Sequence, residues 1–282
     1  MRAAPGALLL LALAPLGGPK KKPEGPYIVP PGEGAGIPVA RLSYVQGDVE
    51  RAAFRRAFTG TPEGSEVRTG DRIRTGPSSV ARLAFPGMSL TVAPASVVSI
   101  PPGIVLSLAL EQGRAELRAE GDIIKLRTDE ARIRGAGRIV VRRPDGGPTA
   151  VAALDGRFVV TASDRDVTLE AGQGSVIAGK SFPTAPRPLA PAPSALVPGS
   201  DALYARPLQP SRLAWSSAAP AHHVQVLGID SEDVLLEKDV GPSPTTVEIP
   251  WLGTFRWRVS VRGRDGLEGM PSPEGVVCVV EE

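Results

Sequence analysis

The residues of this 282-residue chain that could do acid–base, nucleophilic or metal chemistry are few: two histidines, one cysteine and scattered carboxylates. A Ser-His-acid triad needs an imidazole within reach of both a hydroxyl and an acid. His222 and His223 are adjacent. On a strand such neighbours point to opposite faces, so at most one of them lines any one site, and the expected arrangement is one ring packed and one solvated. Work by paired carboxylates needs both in one cleft with separated pKa values. Asp48/Glu50, Glu116/Glu120 and Asp230/Glu232/Asp233 fall along strand edges and loops, where solvated charge is the expectation. The last group lacks the ligand spacing of a calcium loop. Gly135-Ala136-Gly137 lacks the strand–helix context and following acid of a dinucleotide loop and reads as a tight turn or bulge. Two histidines and one cysteine leave almost no material for a zinc site. No catalytic set, cofactor or metal is expected, and the chain reads as a non-enzyme.

What remains is surface. Arg132 and Arg134 share a strand face, with Arg138, Arg142 and Arg143 nearby, and Arg256, Arg258 and Arg262 form a second stripe. Such stripes could meet an acidic protein or an anionic surface polymer, although charged residues ordinarily just cover the wet side of a sheet. Trp251, beside Pro250, could be an exposed sugar-stacking platform or a cap on a core. The net charge of +2 gives a nucleic-acid role no electrostatic support. Cys278, between valines in a late strand, is expected as a small buried hydrophobe.

The elements that must position these groups are strands. From Val67 to Phe85 a Gly-Asp turn and a Thr-Gly turn, at Gly70 and Gly76, frame Ile73 between Arg72 and Arg74. There Val80, Arg82 and Ala84 alternate with Ala81, Leu83 and Phe85. Period 2 with Gly/Pro punctuation predicts an all-β fold. Near the C-terminus Phe255, Trp257, Val259 and Val261 alternate with Arg256, Arg258, Ser260 and Arg262, predicting apolar-in and basic-out. Leu213-Ala214-Trp215, 223–227 and 276–280 supply further strands. Aromatics are only 4% of the chain, yet all three tryptophans follow residue 210, which argues for two differently built units.

Several motifs in residues 39–180 occur in an order that resembles the FecR domain. They are Val45-Gln46-Gly47-Asp48-Val49, Gly70 to Ala81, Gly87-Met88-Ser89-Leu90-Thr91-Val92, Leu110-Glu111-Gln112-Gly113-Arg114-Ala115, Thr128 to Gly135, and Leu154-Asp155-Gly156-Arg157-Phe158. Asp129 stands where that family usually has proline. Residues 207–282 resemble fibronectin type III-like domains through Leu213-Ala214-Trp215, Gly253-Thr254-Phe255-Arg256-Trp257-Arg258-Val259 and Asp265-Gly266. Phe255 replaces a common tyrosine, so that corner must be held by packing. The resemblances imply a FecR-like β-roll or solenoid-like unit followed by a small Ig/fibronectin-like β-sandwich. In the first family the domain lies in the periplasm and relays signals from an outer-membrane receptor to a sigma factor, with the help of a cytoplasmic segment and a transmembrane helix. Neither is read here, so what carries over is recognition of an envelope protein.

Residues 1–18 carry Arg2, an apolar run from Ala7 to Ala14 and small residues, the pattern of a signal peptide. The run is too short for a span of ~20 residues, so no transmembrane helix is expected in the mature chain. Residues 19–38, rich in Pro, Gly and Lys, read as a tether, and 181–206 as a Pro-rich linker. The expected protein is therefore periplasmic or otherwise exported, a protein-binding module with signalling-related or scaffolding use. A carbohydrate or cell-wall polysaccharide binder is the alternative.

Overall fold

The computed structural model describes residues 36–54, 56–103, 106–199, 203–205 and 210–280, and every regular element in them is a strand. The expected signal segment, and the tether up to residue 35, lie outside the described residues. No helix among the described residues is long and apolar enough to cross a membrane.

Thirteen strands in chain order precede the proline-rich stretch: β1 Pro38–Gln46, β2 Val49–Ala52, β3 Thr59–Gly60, β4 Glu66–Arg68, β5 Arg72–Thr75, β6 Val80–Phe85, β7 Met88–Val92, β8 Val97–Ser99, β9 Leu108–Arg127, β10 Arg132–Arg143, β11 Thr149–Ala162, β12 Arg165–Glu170 and β13 Gln173–Ile177. Nine lie within or after it: β14 Arg187–Pro188, β15 Ser194–Val197, β16 Leu203–Ala205, β17 Pro210–Ser216, β18 His222–Gly228, β19 Val234–Val240, β20 Thr245–Glu248, β21 Gly253–Val261 and β22 Gly275–Val279.

β1 to β14 form one sheet, along the path β14-β13-β11-β10-β9-β7-β6-β1-β4, with β12 added to β11 and β2, β3, β5 and β8 branching from it. The sheet is bent double. Arg143 ends the 12-residue β10, yet its Nε lies 3.0 Å from Glu130 Oε2, just before that strand begins. Twelve extended residues would span about 40 Å. The bend falls where Gly137 of β10 opposes Gly156 of β11, and where β10 and β9 skip register between Gly135 and Gly137. The Gly-Ala-Gly motif is thus a bulge, as its composition suggested. Folding brings one face of the sheet onto itself around a single apolar cluster, from Leu42, Ile73 and Leu83 to Leu117, Ile133, Ile139 and Phe158. Alternation explains the facing: in β5, Ile73 and Thr75 are buried while Arg72 and Arg74 are exposed.

The remaining strands form a three-stranded sheet, β15-β17-β20, and a five-stranded sheet, β16-β22-β21-β18-β19. Leu213, Trp215 and Val247 of the first pack on Val224, Val226, Phe255, Trp257, Val259, Val277 and Val279 of the second. The proline-rich stretch is not a free spacer: β14 pairs with β13, β15 pairs with β17, and Pro198 accepts a 3.1 Å hydrogen bond from Trp257 Nε1. Its strands are edges, the positions proline allows. Cys278 departs from expectation. Val277 and Val279 take the core positions, so Cys278 faces the other way and is half-buried.

Gly156 has φ +80°, and a Cβ there would lie 2.0 Å from the Ala136 carbonyl oxygen. Gly156→Ala should therefore cost about 2–4 kcal/mol, from left-handed strain and a backbone clash together. A urea unfolding midpoint unchanged from the parent chain would refute the bend as a point of constraint.

Candidate functional site

Burial of charge concentrates where the curled sheet meets the C-terminal sheets. On the curled sheet, register aligns Arg114 of β9 with Arg142 of β10, and Glu116 with Val140. On the five-stranded sheet, β18 sits between β19 and β21, giving the rows Asp239–His223–Ser260 and Glu237–Gln225–Arg258. These are the faces turned away from the two apolar cores, so alternation alone predicts that they are wet. Each instead covers the other.

Arg114 is the centre. Its Nε and Nη2 bond Glu268 in a bidentate pair at 2.8 and 2.9 Å, Nη1 reaches Glu237 Oε1 at 3.1 Å, and Nη2 reaches Glu116 Oε2 at 3.2 Å. Its side chain is only 3% exposed. Its backbone is held by the Ser96 hydroxyl, which accepts from the Arg114 N–H at 3.0 Å. That approach requires Gly113, since a Cβ there would stand 2.1 Å from Ser96 Oγ. Glu116 also accepts from Arg138 Nε at 2.8 Å and lies 3.5 Å from Arg258 Nη2. Within the five-stranded sheet Gln225 donates to Glu237 at 2.6 Å and accepts from Arg258 Nε at 2.6 Å, and its Nε2 reaches Glu116 of the curled sheet at 3.5 Å. Arg142 bonds Asp239 at 2.8 and 3.2 Å. Two apolar contacts flank the cluster: Val80 with Leu227 and Val234, and Val140, Ala150, Ala152, Leu154 and Val176 with Leu189, Leu267 and Met270.

The protonation states follow from these neighbours. Burial would raise the Glu116 pKa, but Arg138, Arg258 and Arg114 outweigh it and hold it at about 2. Glu237 and Glu268 are likewise held below the usual carboxylate range, their burial outweighed chiefly by Arg114. For His223, burial and Arg114 push the pKa down. Glu268, Asp239 and Glu237 together win, and the imidazole ends above its ordinary value. Its Nδ1 lies 2.8 Å from Asp239 Oδ1, and since a carboxylate only accepts, Nδ1 is assigned as the donor. Its Nε2 lies 3.5 Å from Glu237 Oε2 without a hydrogen bond.

Asp239, His223 and Ser260 thus stand in one row with the residue types of a nucleophilic triad, but they are not connected as one. Ser260 Oγ donates to Glu268 Oε1 at 3.1 Å, leaving no hydroxyl on the imidazole. A cleft of about 500 Å³ opens beside the cluster, lined among others by Arg142, His223, Asp239, Arg262 and Arg264.

The structure redistributes the sequence candidates. Arg258, expected on a basic outer face, is only 6% exposed and belongs to the cluster, because the curled sheet covers that face of β21. Arg256 is partly covered, pairing with Glu274 at 2.8 Å and lying 3.6 Å from Glu232. His222 and His223 are both buried, against the expected packed-and-solvated pair: His222 packs edge-on to Trp215 at 5.0 Å, and His223 lies in the joint. Glu116 is no solvated turn charge. Asp233 of the expected acidic loop instead meets Arg82 at 2.8 Å. Trp251 is half-buried, 6.3 Å from Phe255, as a cap on the core. Arg132 and Arg134 are exposed on β10. Arg114, Glu237, Gln225 and Glu268 were not singled out as candidates. No signal local to them marks their burial, because it depends on which two faces meet.

No family model matches the chain, and no curated protein sequence does. Among solved structures, two crystal structures of a candidate anti-sigma factor from Parabacteroides distasonis align with it. Each has a TM-score of 0.37 and 16% identity, over 42% of this chain and 59% of that one. A likeness this slight carries no functional argument.

Removing Arg114 leaves three buried carboxylates facing one another, so Arg114→Met should destabilise by about 3–5 kcal/mol, read as a shift in the urea midpoint. A loss under about 1 kcal/mol would mean the joint is open to water. The pH dependence has two limbs. Glu116, Glu237 and Glu268 have folded pKa values below 4.5, so their contribution is present above pH 4.5 and is lost as pH falls through those folded values, about 2 for Glu116. His223 has a folded pKa above 6.5, so its contribution is full below pH 6.5 and is lost as pH rises through the folded value. His223→Gln should abolish the second limb and keep the first. Retention of the alkaline limb in that variant would show that another group carries it.

Proposed function

We propose that this chain is a non-enzymatic, exported envelope protein whose curled N-terminal sheet recognises another protein, with the C-terminal sheets acting as a brace. The observation that carries this reading is how the chemically capable side chains are used. His223, Glu116, Glu237, Glu268, Ser260 and Arg258 are all buried or nearly so, each facing another member of the cluster, in a joint that holds two sheets together. The His223 imidazole faces the carboxylates of Asp239 and Glu237, while the Ser260 hydroxyl is turned to Glu268, so no hydroxyl is placed for it to deprotonate. Arg132 and Arg134, by contrast, are exposed and form no ion pair among the described residues.

The resemblance of residues 39–180 to the FecR domain supports the same reading, because recognition of an envelope protein is what that domain implies. On this view residues 39–180 are the FecR-like recognition unit and 207–282 the fibronectin-like one. Export rests on the basic start and short apolar run of residues 1–18.

Photo-crosslinking residues introduced in the full chain test the assignment. Placed at Thr161 or Asp166 on the curled sheet, they should give adducts with one envelope protein. Placed at Arg212 or Glu248 on the C-terminal sheets, they should not. Adducts formed only from the second pair would move recognition to the C-terminal sheets, and adducts from neither would refute protein binding by this face.

A further inference from the structure

Beyond the glycine bend, β9 and β10 pair Arg132 with Arg127 and Arg134 with Lys125, residue directly opposite residue. Directly opposed residues of an antiparallel pair project to the same face. All four are exposed, while the alternating Ile124, Leu126 and Ile133 are buried. None of the four makes an ion pair among the described residues. On the same two strands, Arg114, Arg138, Arg142 and Arg143 all do. Like charges directly opposite each other on a sheet are destabilising. The fold therefore carries two such pairs side by side, with no acid between them, on a face where a single glutamate would relieve both.

We infer that this four-cation plate is the docking surface for an acidic segment of a partner protein bound in extended conformation. The inference rests on the protein-binding reading above and deepens it. Along each strand the charges are two residues apart, about 7 Å, and across strands about 5 Å. An extended peptide places every second side chain on one face at that same ~7 Å spacing, so acids at alternate positions match the plate, whereas a run of adjacent acids puts half of its charge on the wrong side. In the same two rows the neighbouring strands add no positive charge; Arg157 of β11, one row on, is paired with Glu170. Val159 and Thr161 of β11 stand opposite Arg134 and Arg132, followed by Thr168 and Asp166 of β12. Asp166, two strands from Arg132, is the acid in those rows, so an acidic segment is drawn towards the β9 side. There the approach is open, since no strand pairs with the far side of residues 124–127 among the described residues.

The test is fluorescence anisotropy of a labelled peptide of alternating Glu and Thr against the full chain, at low and high salt. Binding should weaken with salt and should weaken about tenfold or more in Arg132→Glu/Arg134→Glu, four exposed charge contacts being at stake. That variant should also unfold at a higher temperature than the parent, because the like-charge pairs become opposite-charge pairs, so lost binding cannot be put down to misfolding. A peptide of the same composition with all its Glu in one block should bind more weakly. Arg118→Glu, at an exposed arginine elsewhere on β9, should leave binding unchanged. Equal binding by the double variant, equal loss with Arg118→Glu, or a preference for phosphatidylglycerol vesicles over the peptide would each overturn the inference. Photo-crosslinked adducts that survive in the double variant would refute this plate while leaving protein recognition by the curled sheet intact.

Discussion

A guanidinium removed from water is tolerable only when carboxylates take over its solvation, and Arg114 has three of them within 3.2 Å. One, Glu116, comes from its own strand. The other two come from the C-terminal part: Glu237 from β19, and Glu268 from the connection between β21 and β22. The charges on either side would be stranded if the sheets parted without water entering or slid by one residue. The joint is thus specified more sharply than an apolar contact of the same size would be, though a buried ion cluster is weak evidence for net stability. The flanking clusters around Val80 and Leu189 supply non-directional burial, and the ions fix the register.

This arrangement separates three kinds of surface. The apolar faces of the curled sheet and of the C-terminal sheets close their own cores. Their polar faces, where they meet, neutralise one another: Arg114, Arg138, Arg142 and Arg258 against Glu116, Glu237, Glu268 and Asp239. Among the described residues, nothing is packed on the outer face beyond the glycine bend that would neutralise its cations. On the proposed reading, these cations are held in place by the sheet without being consumed by the fold.

Much of the architecture was legible from alternation. Ile73 between Arg72 and Arg74, the core positions of β6 and β21, and the bulge at Gly135-Ala136-Gly137 all follow from period 2 and from the special geometry of glycine. Gly76 shows the limit of such reading. Gly70 and Gly76 both stand at turns, but only Gly70 takes positive φ; a Cβ at Gly76 would instead meet Ser79 and Asp48. Proline density reads as a linker over 181–206, and gives no hint that β14 and β15 pair there as edge strands or that Leu189 and Pro198 are tied to the units on either side.

By itself, the order of residues determined which side of each strand is apolar, because that depends on neighbours two positions apart along the chain. It could not determine what becomes of the polar side. Arg258 looks no different from Arg134 in its strand pattern, yet one is buried against Glu116 and the other faces solvent. The difference arises from which face another sheet happens to cover, and the partners concerned are separated by more than a hundred residues: Arg114 from Glu237, and Glu116 from Gln225. Charge burial is a property of the docking, and only the tertiary structure contains it.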